Sequence, residues 1–138
     1  MTRSGSAVAL VLVLAAAATW RSLHRVEVVG LSMAPALIPG DRLLVVGAPC
    51  GRPPWPAPGT VVALRDPRDP ARLLVKRVTA LRRRDETLEV AGDAPGASTD
   101  SRHFGPVPRS SVVGRAVYRY APADRSGPGP WPAGYHRA

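Results

Sequence analysis

Hydrophobic and polar positions follow two regimes along this chain. Residues 7–20 form one apolar stretch, and residues 25–120 break into short runs rich in Val, Leu and Thr. Clusters of Pro, Gly and Asp separate those runs. The apolar stretch predicts a helix, and the short runs predict strands at 26–29, 42–46, 60–64, 72–78, 87–90 and 112–120. No run between them has the length and 3.6-residue period of an amphipathic helix. The pattern predicts a mostly β chain: one small, coiled, antiparallel β-sheet domain over residues 25–120, preceded by one N-terminal apolar helix. Residues 121–138 are so rich in Pro and Gly that they predict a disordered tail. No internal repeat is visible.

The first 24 residues admit two readings. Fourteen helical residues reach about 21 Å, short of a hydrocarbon core of about 30 Å. Adding Gly5, Ser6, Ser22 and Leu23, with Arg21 snorkelling and Trp20 at the interface, makes a single-pass anchor feasible. A cleavable signal peptide is the rival, with Arg3, an apolar core and the small residues Ala15 to Ala18 in order. The strand-like run at 26–29 leaves almost no linker, which favours the anchor. Arg3 on one side and Arg21 and Arg25 on the other leave the orientation undetermined.

Charge changes the picture modestly. A net charge of +9 suits an anionic membrane surface. Aromatic residues make up 5%, too few for a stacking platform, so no nucleic acid partner is expected. The single basic run, Arg82-Arg83-Arg84, precedes Asp85-Glu86 and reads as a solvated hairpin tip. Cys50 is the only cysteine, which rules out an internal disulfide and a cysteine-based metal site; it reads as a free thiol in a Pro-rich loop. No cofactor and no metal are expected. Gly92 to Gly96 lacks the Gly-Lys-Ser/Thr ending of a phosphate-binding loop, and no Ser-His-Asp triad is readable.

The candidate chemistry lies elsewhere. Every cation among the Lys and Arg residues is arginine except Lys76, which sits in the apolar run Leu73-Leu74-Val75-Lys76-Arg77-Val78. Arginine stays protonated in proteins, whereas a lysine buried among apolar side chains can lose its proton and act as a base. Free lysine titrates near ~10.4, and burial lowers that by up to about 3 to 5 pH units. A nearby cation, such as Arg77 turned inward, would push the same way. Ser32, in Gly30-Leu31-Ser32-Met33-Ala34-Pro35, is the matching nucleophile, giving a serine–lysine dyad. Asp41, in Pro39-Gly40-Asp41, reads as a turn residue, and His103 as a surface residue.

A third segment runs from Gly92-Asp93-Ala94 through Ser98-Thr99-Asp100-Ser101-Arg102-His103-Phe104-Gly105 to Val107. The three segments, in this order behind an apolar N-terminal stretch, resemble the bacterial type I signal peptidase family of membrane-anchored serine endopeptidases. The resemblance covers about residues 26–118. It implies a β domain of the signal peptidase type, with Ser32 as nucleophile, Lys76 as general base and the Ser32 backbone N–H as an oxyanion donor. It further implies that Ser98 orients the lysine amine and that Asp100 and Arg102 form an ion pair bracing the loop. Gly30 stands near the oxyanion hole where some members carry a hydroxyl. Ala94 stands where the family usually has Asn. Residues 77–91 leave room for one hairpin in place of the extra domain of large members. The wording of residues 97–108 is most similar to the small proteases that mature nickel-type superoxide dismutase. A leader-bearing precursor is then the expected substrate. The expected location is the membrane, with an extracytoplasmic domain by resemblance and a cytoplasmic one still open.

Two other readings stay open on the residues alone. One is a self-cleaving repressor-like peptidase, which shares a serine–lysine dyad. The other is a non-catalytic, membrane-tethered module that binds peptides by strand addition.

Overall fold

The computed structural model describes residues 3–48 and 54–133, with backbone alone at 3–4 and 18–21. Cys50 and His136 lie outside the described residues. A helix, α1 (Arg3–Arg21), leads directly into strand β1 (Leu23–Glu27). Strands β2 (Arg42–Val46), β3 (Val61–Asp66), β4 (Asp69–Arg82) and β5 (Thr87–Ala91) follow. A four-residue helix, α2 (Ser101–Phe104), then precedes β6 (Val107–Pro108), β7 (Val112–Ala121) and β8 (Gly127–Pro128). The strands form one antiparallel sheet in the order β1-β2-β7-β3-β4-β5-β6, with β8 on β7.

The expected mostly β architecture with one N-terminal helix is what the chain adopts. Several boundaries differ. β1 begins three residues before the run at 26–29, because His24 and Arg25 pair with Val45 and Leu44 despite their polarity. Val28 leaves the ladder, and its backbone pairs with Gly40 and Asp41 instead. β3 and β4 run further than their apolar cores because Pro67 and Arg68 form a tight turn closed by Asp66, whose carboxylate accepts the Arg68 N–H at 2.9 Å. A short helical turn at Arg83–Asp85 joins β4 to β5, placing the basic run at an exposed hairpin tip.

The core lies on both faces of β3. Val61 and Ala63 join a cluster with Met33, Leu37, Leu43 and Val45, while Val62 and Leu64 join one with Leu74, Val78, Leu88 and Val90. Strand alternation sends neighbours to opposite faces, and here both faces are covered because the sheet coils around β3.

The expectation of an unpacked tail does not describe residues 121–133. β8 pairs Tyr118 with Pro128 and Arg119 with Gly127, and Trp131 is buried in the first core cluster. A large aromatic side chain and an ion-paired arginine order a stretch whose composition alone suggests disorder.

Every described side chain of α1 is exposed, Val8 and Leu10 to Leu14 included. No helix among the described residues is long and apolar enough to cross a membrane.

Candidate active site

Ser32 is carried by an excursion of the chain between Val28 and Asp41. Two backbone bonds pinch its ends, Val28 N–H to Asp41 C=O at 2.8 Å and Gly40 N–H to Val28 C=O at 2.9 Å. Inside it, Ala34 N–H reaches Leu31 C=O at 3.1 Å and Leu37 N–H reaches Met33 C=O at 2.9 Å. Met33 and Leu37 are buried and pull this turn onto the core, leaving Gly30 and Leu31 exposed and Ser32 half-buried.

Lys76 comes from β4, whose alternation sends Leu74, Lys76 and Val78 inward and Arg77 to the other face. The lysine is 3% exposed, and its Nζ donates to Ser98 Oγ at 3.0 Å. Ser98 in turn donates its one hydroxyl proton to Asp100 Oδ2 at 2.6 Å. That fixes the Ser98 oxygen as an acceptor toward Lys76. A neutral amine held by one N–H keeps its lone pair free for a second partner.

Electrostatics favours the neutral form. Burial is the largest influence and lowers the Lys76 pKa; Asp100 opposes it, and Arg68 and Arg102 act with burial. Arg77 is not one of the cations facing Lys76. It binds Asp93 through Nε at 2.8 Å and Nη2 at 2.7 Å, and donates to Gly59 C=O at 2.9 Å.

Asp100 is fully buried. Burial alone would raise its pKa, but hydrogen bonds from Arg102, Ser98 and the Gly92 N–H hold the carboxyl well below its usual range. Arg102 Nε lies 2.9 Å from Asp100 Oδ1, so the two form an ion pair that braces the segment. The same carboxylate caps α2, and His103, exposed, completes that cap by accepting the Asp100 N–H on Nδ1.

Gly92 is where the third segment meets the Ser32 segment. A Cβ at this position would stand 2.3 Å from Ser98 Oγ and 2.6 Å from Ser32 O, so only a glycine permits the approach. Next to it, Ala94 N–H donates to Ser32 C=O at 2.8 Å, so the backbone ties the loop here without an Asn side chain.

Ser32 and Lys76 line one cleft of about 300 Å³, together with Gly30, Val28, Leu74 and Thr99. Ser98 and Asp100 do not line the cleft; they lie behind the amine. Arg68 and Arg72 also face it, and neither stands out in the sequence, since Arg68 sits inside what reads as a Pro-rich breaker. Asp41 is more than the turn residue its motif suggests. It is 1% exposed and binds Ile38 N–H, Arg119 and Arg125, each at 3.0 Å. Among the described residues no three His, Cys, Asp or Glu side chains gather as a metal site.

This chain is similar to known proteins. Mitochondrial ATP-independent inner membrane protease subunit 1a of Arabidopsis thaliana is 37% identical over 89 residues, 50% of this chain and 53% of that protein. Subunit 1b from the same plant is 32% identical over 124 residues, 75% of this chain and 73% of that protein. The chain thus spans about half the length of the first relative and 73% of the second. The family described as Signal peptidase, peptidase S26, matches residues 1–82 and 84–121, nearly all of the β domain and the helix before it. This chain belongs to the signal peptidase family, peptidase S26.

Proposed function

We propose that this chain is a serine endopeptidase of the signal peptidase type that removes an N-terminal leader from a precursor protein, using Ser32 as nucleophile and Lys76 as a neutral general base. The observation that carries this reading is the buried Lys76 amine, anchored on Ser98 and facing the same cleft as Ser32.

The steps follow from the groups present. The Lys76 lone pair accepts the Ser32 hydroxyl proton as Oγ attacks the scissile carbonyl carbon. The Ser32 N–H donates to the oxyanion that forms. Collapse breaks the C–N bond, and the Lys76 ammonium returns its proton to the departing amine. Water then attacks the acyl-serine with Lys76 again taking the proton; the C–Oγ bond breaks, the Lys76 ammonium returns that proton to Ser32 Oγ, and the acid product leaves. Gly30 offers no side-chain hydroxyl as a second oxyanion donor.

The substrate binds as an extended strand. β4 pairs with β3 over residues 73–77, but β5 joins its other edge only from Arg77, so residues 72–76 present free backbone groups to the cleft. β1 ends the sheet, and residues 26–30, from its last residues into the chain that follows, supply the facing wall. A peptide added between them meets Val28, Val29, Leu74 and Val75, shallow apolar surfaces that suit small side chains one and three residues before the cut. The wording of residues 97–108 makes the leader of a nickel-type superoxide dismutase precursor the first substrate to try. The names of the plant relatives and the apolar, exposed α1 support attachment at a membrane, with α1 (residues 1–24 in the wider reading) as the attaching element and an anionic surface suited to the +9 charge.

Peptide hydrolysis by the full chain, with Ser32→Ala and Lys76→Arg beside it, tests the reading. Both variants are expected to lose at least about 10³-fold in turnover while keeping the fold. A fully active arginine variant removes the general base, and a Ser32→Ala variant that still cleaves removes the nucleophile. A chain that binds peptide equally with and without the Ser32 hydroxyl is a binding module instead.

A further inference from the structure

The C-terminal stretch after β7 touches both halves of the site from below. Arg125 grips Asp41 with two bonds, Nε to Oδ1 and Nη2 to Oδ2, both 3.0 Å. Arg119 on β7 shares that carboxylate, bonds the Arg125 carbonyl through Nε, and donates to Ala36 C=O at 3.0 Å, inside the excursion that carries Ser32. The Arg119 guanidinium also stacks 5.7 Å from the Trp131 ring centre. Trp131 is buried in the cluster that holds Met33 and Leu37, the two side chains that seat the Ser32 turn. At the other end, the Trp131 carbonyl accepts Arg77 Nη2 at 2.6 Å, one residue from Lys76 on β4, and Arg77 binds Asp93 beside Gly92.

We propose that the segment 122–131 is a positioning element for the site: Arg125, through Asp41, holds the excursion that carries Ser32, and Trp131 ties that excursion to the strand that carries Lys76. The proposal rests on the reading of Ser32 and Lys76 as the reacting pair. Otherwise the excursion is held by the pinch at Val28 and Asp41, three internal backbone bonds (Ala34 to Leu31, Leu37 to Met33 and Asp41 to Ile38), the Ala94 N–H on the Ser32 carbonyl, and the buried Met33 and Leu37. A hydroxyl must sit within hydrogen-bonding reach of the lysine lone pair, and a displacement of about 1 Å costs up to about 10²-fold in rate. Arg125 touches neither substrate nor reacting atoms, so it acts through Asp41. Arg119 still neutralises Asp41 when Arg125 is lost, which leaves the buried carboxylate paired and the fold intact.

The test uses the full chain and Arg125→Ala, Arg125→Lys and Arg82→Ala, the last removing an exposed ion pair with Glu89 at the far hairpin. Amide hydrogen exchange and peptide turnover are measured below the melting range of each variant. Arg125→Ala is expected to speed exchange at Ala34 and Leu37 while leaving β3 amides unchanged, and to lower kcat about tenfold with KM within about twofold. Arg125→Lys recovers part of kcat through one remaining bond, and Arg82→Ala changes neither readout. Unchanged exchange at Ala34 and Leu37 overturns the brace whatever activity does. Faster exchange with unchanged kcat overturns its positioning role. A full chain that cleaves no peptide at all counts against the peptidase reading, and the exchange comparison then still decides whether Arg125 holds the excursion.

Discussion

Two segments of this molecule are organised by the same device, a buried aspartate clamped by arginine, and they use it differently. Asp41 closes the excursion 28–41 and faces two guanidiniums, Arg119 and Arg125. Asp100 organises the segment 92–105 and faces one, Arg102, together with the Ser98 hydroxyl and the Gly92 N–H. Both carboxyls are held below their ordinary range against a burial that would raise them, Asp41 chiefly by Arg125 and Asp100 chiefly by Arg102. Only Asp100 acts on Lys76, where its charge favours the ammonium form. Burial of the amine, with Arg68 and Arg102 on the same side of the balance, outweighs it. A carboxylate that fixes a loop needs only partners, whereas one beside a neutral lysine must also be screened from it. Asp41 acts on geometry alone; Asp100 acts on geometry and on a protonation equilibrium.

Breaking the relay between Asp100 and Lys76 gives the largest effect. Ser98→Ala leaves the amine without its acceptor and removes one of the donors to the Asp100 carboxylate, and turnover is expected to fall about 10²-fold with little change in KM. Steady-state kinetics on a short peptide checks this, and a change confined to KM would assign Ser98 to substrate binding.

The comparison sharpens when each aspartate is neutralised in turn. Asp100→Asn removes the stronger of the two negative charges, Asp100 and Asp66, that favour protonated Lys76. The pH at which the rate rises should therefore move downward. Asp41→Asn should lower kcat through the loop and leave that pH unmoved, since Asp41 is not among the groups that act on Lys76. Equal displacement in both variants would erase the distinction. The smallest effect is a gain. A Cβ at Gly30 meets nothing within 4 Å, and the backbone there needs no glycine. Gly30→Ser is expected to raise kcat by up to about tenfold by adding an oxyanion donor. A lower kcat would show that the hydroxyl points away from the oxyanion.

How much of this was legible in the sequence differs between the two segments. The segment 92–105 is distinctive in its residue types, and its geometry follows from them: Asp100 caps α2, Ser98 lies two residues away, and Gly92 permits contact. The relation of Lys76 to this segment depends on β4 and β5 pairing, which their apolar runs signal. The bracing of the excursion was not legible. Asp41 looks like any Pro-Gly-Asp turn, and its partners stand 78 and 84 residues away. Arg119 is one of many arginines, and Arg125 lies in a stretch whose Pro and Gly content reads as disorder. Composition averages over a segment, while one buried indole and one bidentate ion pair suffice to order it. The length of β4 was hidden for a related reason, since Pro67 belongs to a tight two-residue hairpin turn and Asp69 and Pro70 already stand in the strand.

The central claim is that Lys76 is neutral when the enzyme works, and the chain allows a direct reading because Lys76 is its only lysine. Full-length protein carrying ¹³Cε-lysine gives one side-chain resonance to titrate by NMR. Below its midpoint Lys76 is an ammonium without a lone pair, so the rate should rise with pH through the same midpoint. The midpoint is expected below the ordinary 10.5, and kcat/KM should follow it. A midpoint at or above 10.5, in a protein that still cleaves at neutral pH, would contradict the account.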